Sequence, residues 1–309
     1  MKAQHLTSVK ASAEICGADV EGADVGSSEL VYRPGVPRSG RFRFDIGTAG
    51  SITLVLQTLM PVLAFAPGKV ELEVTGGTDV KWSPPVDYLQ MVALPLFNRF
   101  GYDCKLDLVR RGHYPKGGGE IRFTVTPAHS LPPFKGLDPG ETLEVGGVSH
   151  SMGLPSHVAE RQAEFARKMI RARGLPEPDL RVESSQPRNG LGLGSGIVLY
   201  ARTKSGTILG ADSLGERGKP AETVGSEAGR QLAEEVDSRA FVDRHMGDMI
   251  VPYMVLADGI SEVSVSRVTQ HTLTNVRVAE QISGLKFEVE GGIGERGVLR
   301  VKGLGLRNP

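Results

Sequence analysis

Cysteine is nearly missing from this chain: Cys16 and Cys104 are the only two, far apart and with no CxxC pair. That excludes a disulfide framework and a zinc knuckle, and makes a reducing cytoplasm the expected compartment. Long apolar runs are missing too. The longest, 52–66, is interrupted by Thr53, Gln57, Thr58 and Pro61 and is shorter than the ~20 residues a membrane span needs. Met1 is not followed by a secretory apolar segment, so neither membrane insertion nor export is expected. No sign of charge prevails: 36 Lys+Arg stand against 36 Asp+Glu, which excludes an acidic solvating protein or a disordered tail. What is abundant is turn-forming residues. The 40 glycines and 19 prolines are about a fifth of the chain, too aperiodic for collagen and suited to a turn-rich α/β or α+β fold. At 309 residues the chain exceeds the size at which one core keeps growing, roughly 250–300 residues, so two domains or an insertion are expected.

Alternation of apolar and polar residues predicts strands at 41–46, 69–75, 120–126 and 262–267. Helical spacing predicts helices at 4–17, 51–66, 85–100, 156–173, 226–239, 243–257 and 272–283. A helix, two strands and a glycine-rich turn recur three times, near 4–33, 85–126 and 272–302, which marks a repeat. The second and third copies have a lead-in of strand and helix that the first lacks. Equivalent units would therefore have the chain begin inside its first repeat, with about 45 residues of that unit absent. Residues 141–239 have another texture, with strands at 144–148 and 197–203 between helices, and read as an inserted small domain. The large repeat-built domain is expected at 1–140 and 240–309. Gly190, Gly192 and Gly194 imitate a dinucleotide fingerprint, but a strand follows where a helix is required, and that reading is set aside.

Three segments carry chemistry. In 110–120, Arg110, Arg111 and Lys116 flank Gly117-Gly118-Gly119, either an anion-holding turn or a flexible hairpin with solvated charges. A second glycine turn, Gly47-Thr48-Ala49-Gly50-Ser51, leads into a helix whose free amides suit an anion, and Gln57 lies about two turns along it. From 33 to 43 there are four arginines and no acid, a cationic stretch that suits a phosphate backbone or is plain surface charge. His271 stands where a strand gives way to a helix. There a neutral imidazole is a competent nucleophile toward phosphorus, although a lone histidine is more often structural.

Together these segments resemble the RNA 3'-terminal phosphate cyclases. Arg111-Gly112-His113-Tyr114-Pro115-Lys116-Gly117-Gly118-Gly119-Glu120-Ile121 matches that family's signature. Support runs along the chain in Gln4-His5-Leu6-Thr7, in the 47–51 turn with Gln57-Thr58, in Gly76-Gly77-Thr78-Asp79, in Pro84-Pro85-Val86-Asp87-Tyr88, in His157-Val158-Ala159-Glu160-Arg161 and in His271-Thr272-Leu273-Thr274-Asn275. The resemblance implies an α+β fold: a large domain of three repeats, each pairing helices with a four-stranded sheet, plus a small inserted domain. It also implies a reaction in which ATP adenylylates a histidine, AMP passes to an RNA 3'-phosphate, and the 2'-hydroxyl displaces AMP to leave a 2',3'-cyclic phosphate.

By position, His271 matches the histidine that carries the nucleotide. Gln57, Pro84 and the segment His245, Met246, Gly247, Asp248, Met249 match nucleotide contacts, although the family shows Ala-Asp-Gln where this chain has Gly247-Asp248-Met249. Gln4 and His5 match residues near the reacting phosphates, and Arg111 and Lys116 are the expected phosphate or RNA contacts. The implied cofactors are ATP and Mg²⁺ or Mn²⁺, and the implied partner is RNA with a 3'-phosphate end, with a homodimer admissible and no membrane. The rival readings are a non-catalytic cyclase-like RNA-binding or ribosome-biogenesis protein, or an enzyme silenced by a missing N-terminal segment. An enolpyruvyl transferase of the same architecture lacks motif support.

Overall fold

The computed structural model describes residues 1, 3–186 and 192–308; Gly190 of the rejected fingerprint lies outside them. Helix α1 (Ala3–Cys16) leads into the antiparallel pair β1 (Asp19–Glu21) and β2 (Val31–Arg33). Next come β3 (Gly40–Asp45), α2 (Ile52–Leu63) and β4 (Val70–Gly76). Strand β4 buries every second residue, as its alternating sequence requires. Then α3 (Val86–Tyr88), a π turn (Leu89–Ala93) and α4 (Leu94–Arg99) form one helical run before β5 (Asp103–Arg110) and β6 (Gly119–Thr126).

The short β7 (Lys135–Gly136) is followed by β8 (Thr142–Met152), α5 (His157–Ala172), β9 (Asp179–Ser185), β10 (Gly194–Thr203), β11 (Ile208–Leu214) and α6 (Ala221–Asp237). The chain closes with α7 (Arg244–Met249), α8 (Val251–Leu256), β12 (Ile260–Val265), α9 (Gln270–Ser283), β13 (Glu288–Glu290) and β14 (Gly297–Lys302).

The repetition is visible in the pairing. One sheet runs β3-β4-β6-β5 and another β7-β12-β14-β13, each with a parallel first pair and two antiparallel pairs after it. The pair β1-β2 corresponds to the antiparallel half of such a unit, and each of the three antiparallel halves follows a helix. In the second unit α2 alone crosses from β3 to β4. In the third, the crossing from β7 to β12 also contains β8 through α6. Those inserted strands form their own sheet, β11-β10-β8-β9, with β9 parallel to β8. The fold is therefore α+β, built among the described residues from three four-stranded sheets, one two-stranded sheet and flanking helices.

Two apolar clusters hold it together. The larger takes α2, β4, β6 and α8 among others. The smaller lies between the inserted sheet and α5 and α6, through Ala163, Ala166, Ile170, Ala228 and Leu232. Strand β10 serves both by period-2 alternation: Ile197, Leu199 and Ala201 face the smaller cluster and Val198 the larger.

Several boundaries differ from the sequence expectation for local reasons. Residues 243–257 form two helices, broken at Ile250 with Pro252 in the first turn of α8, where proline has no amide to donate. Helix α6 begins at Ala221, immediately after Pro220. Strand β9 escapes pattern reading because Leu180 is its only buried residue, as befits an edge strand.

Candidate active site

Helix α2 starts at Ser51, whose hydroxyl accepts the Leu54 amide at 3.2 Å, an N-cap of the kind serine favours. Several amides of the preceding turn are already used. Gly47 bonds Asp45, Gly50 bonds Thr48, the Ser51 amide bonds Gln4 Oε1 at 3.2 Å, and the Ile52 amide bonds the Gly77 carbonyl. Gln4 and the 77 strand end thus take two of the donors at this helix start. Packing explains one glycine of the three: a Cβ on Gly117, whose φ is +65°, would lie 2.8 Å from the Thr48 carbonyl oxygen, so this position needs glycine for its close approach to the 47–51 turn.

A cleft of about 430 Å³ opens among α1, α2, α7, α8 and α9. Its wall includes His5 and Ser8 from α1, Gln57 and Thr58 from α2, Asp248 and Met249 from α7, and Asn275 from α9. Gln57 Nε2 is buried there without a hydrogen-bond partner, a donor that a ligand oxygen would satisfy.

Asp248 fixes the geometry. Its Oδ1 accepts the hydroxyls of Thr269 at 3.0 Å and Thr272 at 2.9 Å, while its carbonyl accepts Asn275 Nδ2 at 3.2 Å. Burial pushes its carboxyl up from the ordinary range, against the Thr272 and Thr269 hydrogen bonds and the nearby His245 and His271. Thr269 caps α9, and Thr269 and Thr272 make a reciprocal capping box. His271 is exposed in that same first turn, one helical turn ahead of Asn275 and hence on the same face. Asn275 belongs to the motif quoted for His271 yet was not singled out from sequence; the i, i+4 spacing is the signal that would have found it.

His245 is partly exposed, with its ring edge-on to Tyr88 at 5.7 Å and Nε2 3.9 Å from Asp212 Oδ1. Burial pushes the Asp212 carboxyl up to about 6. Met246 is fully buried in the larger cluster, and Gly247 is packed against Val265. Pro84 is half-buried and uses its carbonyl to accept the Thr53 hydroxyl at 2.7 Å.

His271 itself is not on the cleft wall, and neither are Gln4, Pro84, His245, Met246, Gly247, Arg111 and Lys116. Lys116 is exposed at the tip of its turn. Arg111 is buried and committed to carboxylates: Asp87 receives both guanidinium nitrogens at 2.6 and 3.1 Å, Glu183 one at 3.0 Å, and Asp79 lies at 3.5 Å. Burial opposes its charge, but Asp79 and Asp87 outweigh burial and raise its pKa. Much of the cationic stretch is likewise paired, Arg33 with Asp19 and Glu21 and Arg41 with Glu71.

A repeat-built α+β body with a cleft that joins polar and apolar side chains beside a capped, histidine-bearing helix start is the class that fold and geometry define. Sequence comparison makes this specific. A family model described as RNA 3'-terminal phosphate cyclase matches residues 1–289. The chain is 49% identical over 307 residues to the RNA 3'-terminal phosphate cyclase of Ignicoccus hospitalis, covering 98% of this chain and 87% of that protein. It is 46% identical over 310 residues to that of Staphylothermus marinus, covering 99% and 87%, and 49% identical over 311 residues to that of Hyperthermus butylicus, covering 98% and 86%. The chain belongs to the RNA 3'-terminal phosphate cyclase family, a family of ligases. No helix among the described residues is long and apolar enough to cross a membrane.

Proposed function

We propose that this chain uses ATP to convert an RNA 3'-terminal phosphate to a 2',3'-cyclic phosphate, with His271 as the nucleophile. An imidazole nitrogen of His271 attacks the α-phosphorus; the N–P bond forms, the bond to the β-phosphate oxygen breaks, and pyrophosphate leaves. An oxygen of the RNA 3'-phosphate then attacks the same phosphorus, breaking the N–P bond and leaving an RNA adenylate. Finally the 2'-hydroxyl gives up its proton and attacks the 3'-phosphorus, and AMP departs with the bridging oxygen. Three displacements with good leaving groups stand in for one on a dianionic phosphate, which is a poor electrophile.

The observation that carries this reading is convergence. His5, Gln57, Asp248 and Asn275 come from four separate helices to one cleft, and the buried amide nitrogen of Gln57 has no partner. The capping threonines and Asp248 hold the first turn of α9, and with it the backbone that carries His271. The positive end of α9 favours the charge of a phosphate beside it.

The cleft wall supplies a divalent ion with one carboxylate, Asp248. That fits Mg²⁺, which keeps several waters and takes phosphate oxygens as its other ligands, and which neutralises charge on the departing pyrophosphate. The cysteines, both free and buried, suit a reducing cytoplasm.

The test is incubation of the full chain with α-labelled ATP and Mg²⁺. The expected result is an acid-labile, hydroxylamine-sensitive label on the protein that is lost in His271→Ala and reduced at least tenfold in Gln57→Ala. Conversion of a 3'-phosphorylated oligonucleotide to its cyclic end should follow the label. RNA binding without any label, or a label undiminished in His271→Ala, overturns the proposal.

A further inference from the structure

Behind the signature turn, away from the cleft, three segments bring Asp79, His113 and His150 together. Asp79 follows β4, His113 sits between β5 and β6, and His150 lies in β8 of the inserted sheet. They are 3%, 4% and 1% exposed, and one donor atom from each lies within 4.8 Å of the other two. Asp79 Oδ1, His113 Nε2 and both nitrogens of His150 have no hydrogen-bond partner. Buried polar atoms are nearly always paired, and each orphan costs free energy, so a cluster of four calls for an occupant.

We infer that Asp79, His113 and His150 form a binding site for a divalent transition-metal ion of the zinc type. Two imidazoles and one carboxylate are a donor set that suits such an ion and not Mg²⁺ or Ca²⁺, which take oxygen ligands. The His113 Nε2 lacks a partner, which leaves it open to a ligand in the cluster. Nε2 of His150 is 3.7 Å from Asp79 Oδ1, while its Nδ1 faces Asp87 Oδ2 at 3.9 Å. A carboxylate behind a ligating histidine is the usual outer support of a metal site.

The second oxygen of Asp79 accepts the Thr78 hydroxyl at 2.7 Å, which orients the carboxylate. Zn–N and Zn–O bonds of about 2.0–2.1 Å place tetrahedral ligands roughly 3.3 Å apart, so the donors need only a small inward shift. Charge agrees: Asp79, Asp87 and Glu183 stand against Arg111 and Arg181, an excess of one negative charge. Room is reserved as well, since Cβ atoms on Gly194 and Gly196 of β10 would run into the His113 and His150 rings. Such an ion staples the inserted sheet to the second repeat.

The experiment uses the full chain, expressed without a histidine tag and purified without chelator, with metal content measured by mass spectrometry. About one zinc per chain is expected. After stripping, Co²⁺ should give visible d–d absorption that saturates at one equivalent, and Zn²⁺ but not Mg²⁺ should raise the unfolding midpoint by several degrees. His150→Ala and His113→Ala should each lose the absorption while keeping the circular dichroism of the parent. If neither variant folds, the titrations of the unaltered chain decide. Zinc well below one equivalent with no saturable Co²⁺ band, as when a water fills the site, overturns the inference, and so does a band that persists in both histidine variants. Metal content and spectrum are read independently of His271 labelling, so this inference and the proposed reaction fail separately.

Discussion

Replacing Arg111 by methionine separates a structural role for this residue from a role in holding RNA. The guanidinium and Asp87 form a two-pronged ion pair at 2.6 and 3.1 Å, with side chains 8% and 2% exposed. Methionine fills similar volume but strands the Asp87 and Asp79 carboxylates, and breaking one side of a buried pair costs about 3–5 kcal/mol. The Glu183 contact adds little, because that side chain is 42% exposed and pairs open to solvent are worth about 0–1 kcal/mol. Urea unfolding followed by circular dichroism should therefore show a loss of about 3–5 kcal/mol for Arg111→Met and under about 1 kcal/mol for Glu183→Gln.

Arg111→Lys keeps the charge without the planar fork and should fall between. A deficit below about 1 kcal/mol refutes the structural reading. A stable Arg111→Met whose only defect is weaker RNA binding would return the residue to the phosphate-contact role its motif implies.

Two further outcomes follow from geometry and burial. Gly117→Ala places a Cβ 2.8 Å from the Thr48 carbonyl oxygen at a φ of +65°, whereas Gly17→Ala, at +61°, meets nothing within 4 Å; thermal unfolding should show a loss of about 2–4 kcal/mol for the first and about 1 for the second, and equal losses would mean the close approach is not there. Asp212, held at about 6 by burial, binds its proton more tightly folded than unfolded, so its contribution to stability is lost as pH rises from about 4 through about 6. Asp212→Asn should accordingly be about 1–3 kcal/mol more stable than the parent at pH ~7.5 and no more stable at pH ~4; urea midpoints that show no such crossover contradict the assignment.

Strongly periodic stretches were legible in the sequence. The α2 stretch with Gln57, the alternation of β4 and β6, and the recurrence of a helix before two strands all follow from side-chain period alone. Less legible was what charged and glycine residues do once distant segments meet. Four arginines in 33–43 read either as a phosphate-binding stretch or as plain surface charge, and the pairing of Arg41 with Glu71 across the parallel strands β3 and β4 involves a neighbour 30 positions on that only register reveals. The approach of Gly117 to the 47–51 turn was equally hidden. His113 and His150 carry no mutual signal, since one is in the signature and the other in an inserted strand. The clamp of Asp248 on Thr269 and Thr272 was likewise beyond a linear reading, because it depends on α7 meeting the start of α9.

That clamp is one end of a strut. Helix α7 has six residues, too few to be stable alone, so its position is set by what holds its ends. At its start, Asp243 is fully buried and accepts the Tyr88 hydroxyl at 2.6 Å, the Gly210 amide of β11 at 2.8 Å, and the amides of His245 and Met246; such bonding to a charged acceptor is what makes a buried carboxylate tolerable. At its other end Asp248 grips the first turn of α9. A single rigid turn-and-a-half thus joins the second repeat, the inserted sheet and the helix start that carries His271. The Gly210 amide of β11 donates to the carboxylate that caps α7, so the inserted sheet is bonded to the support of the cleft without lining it.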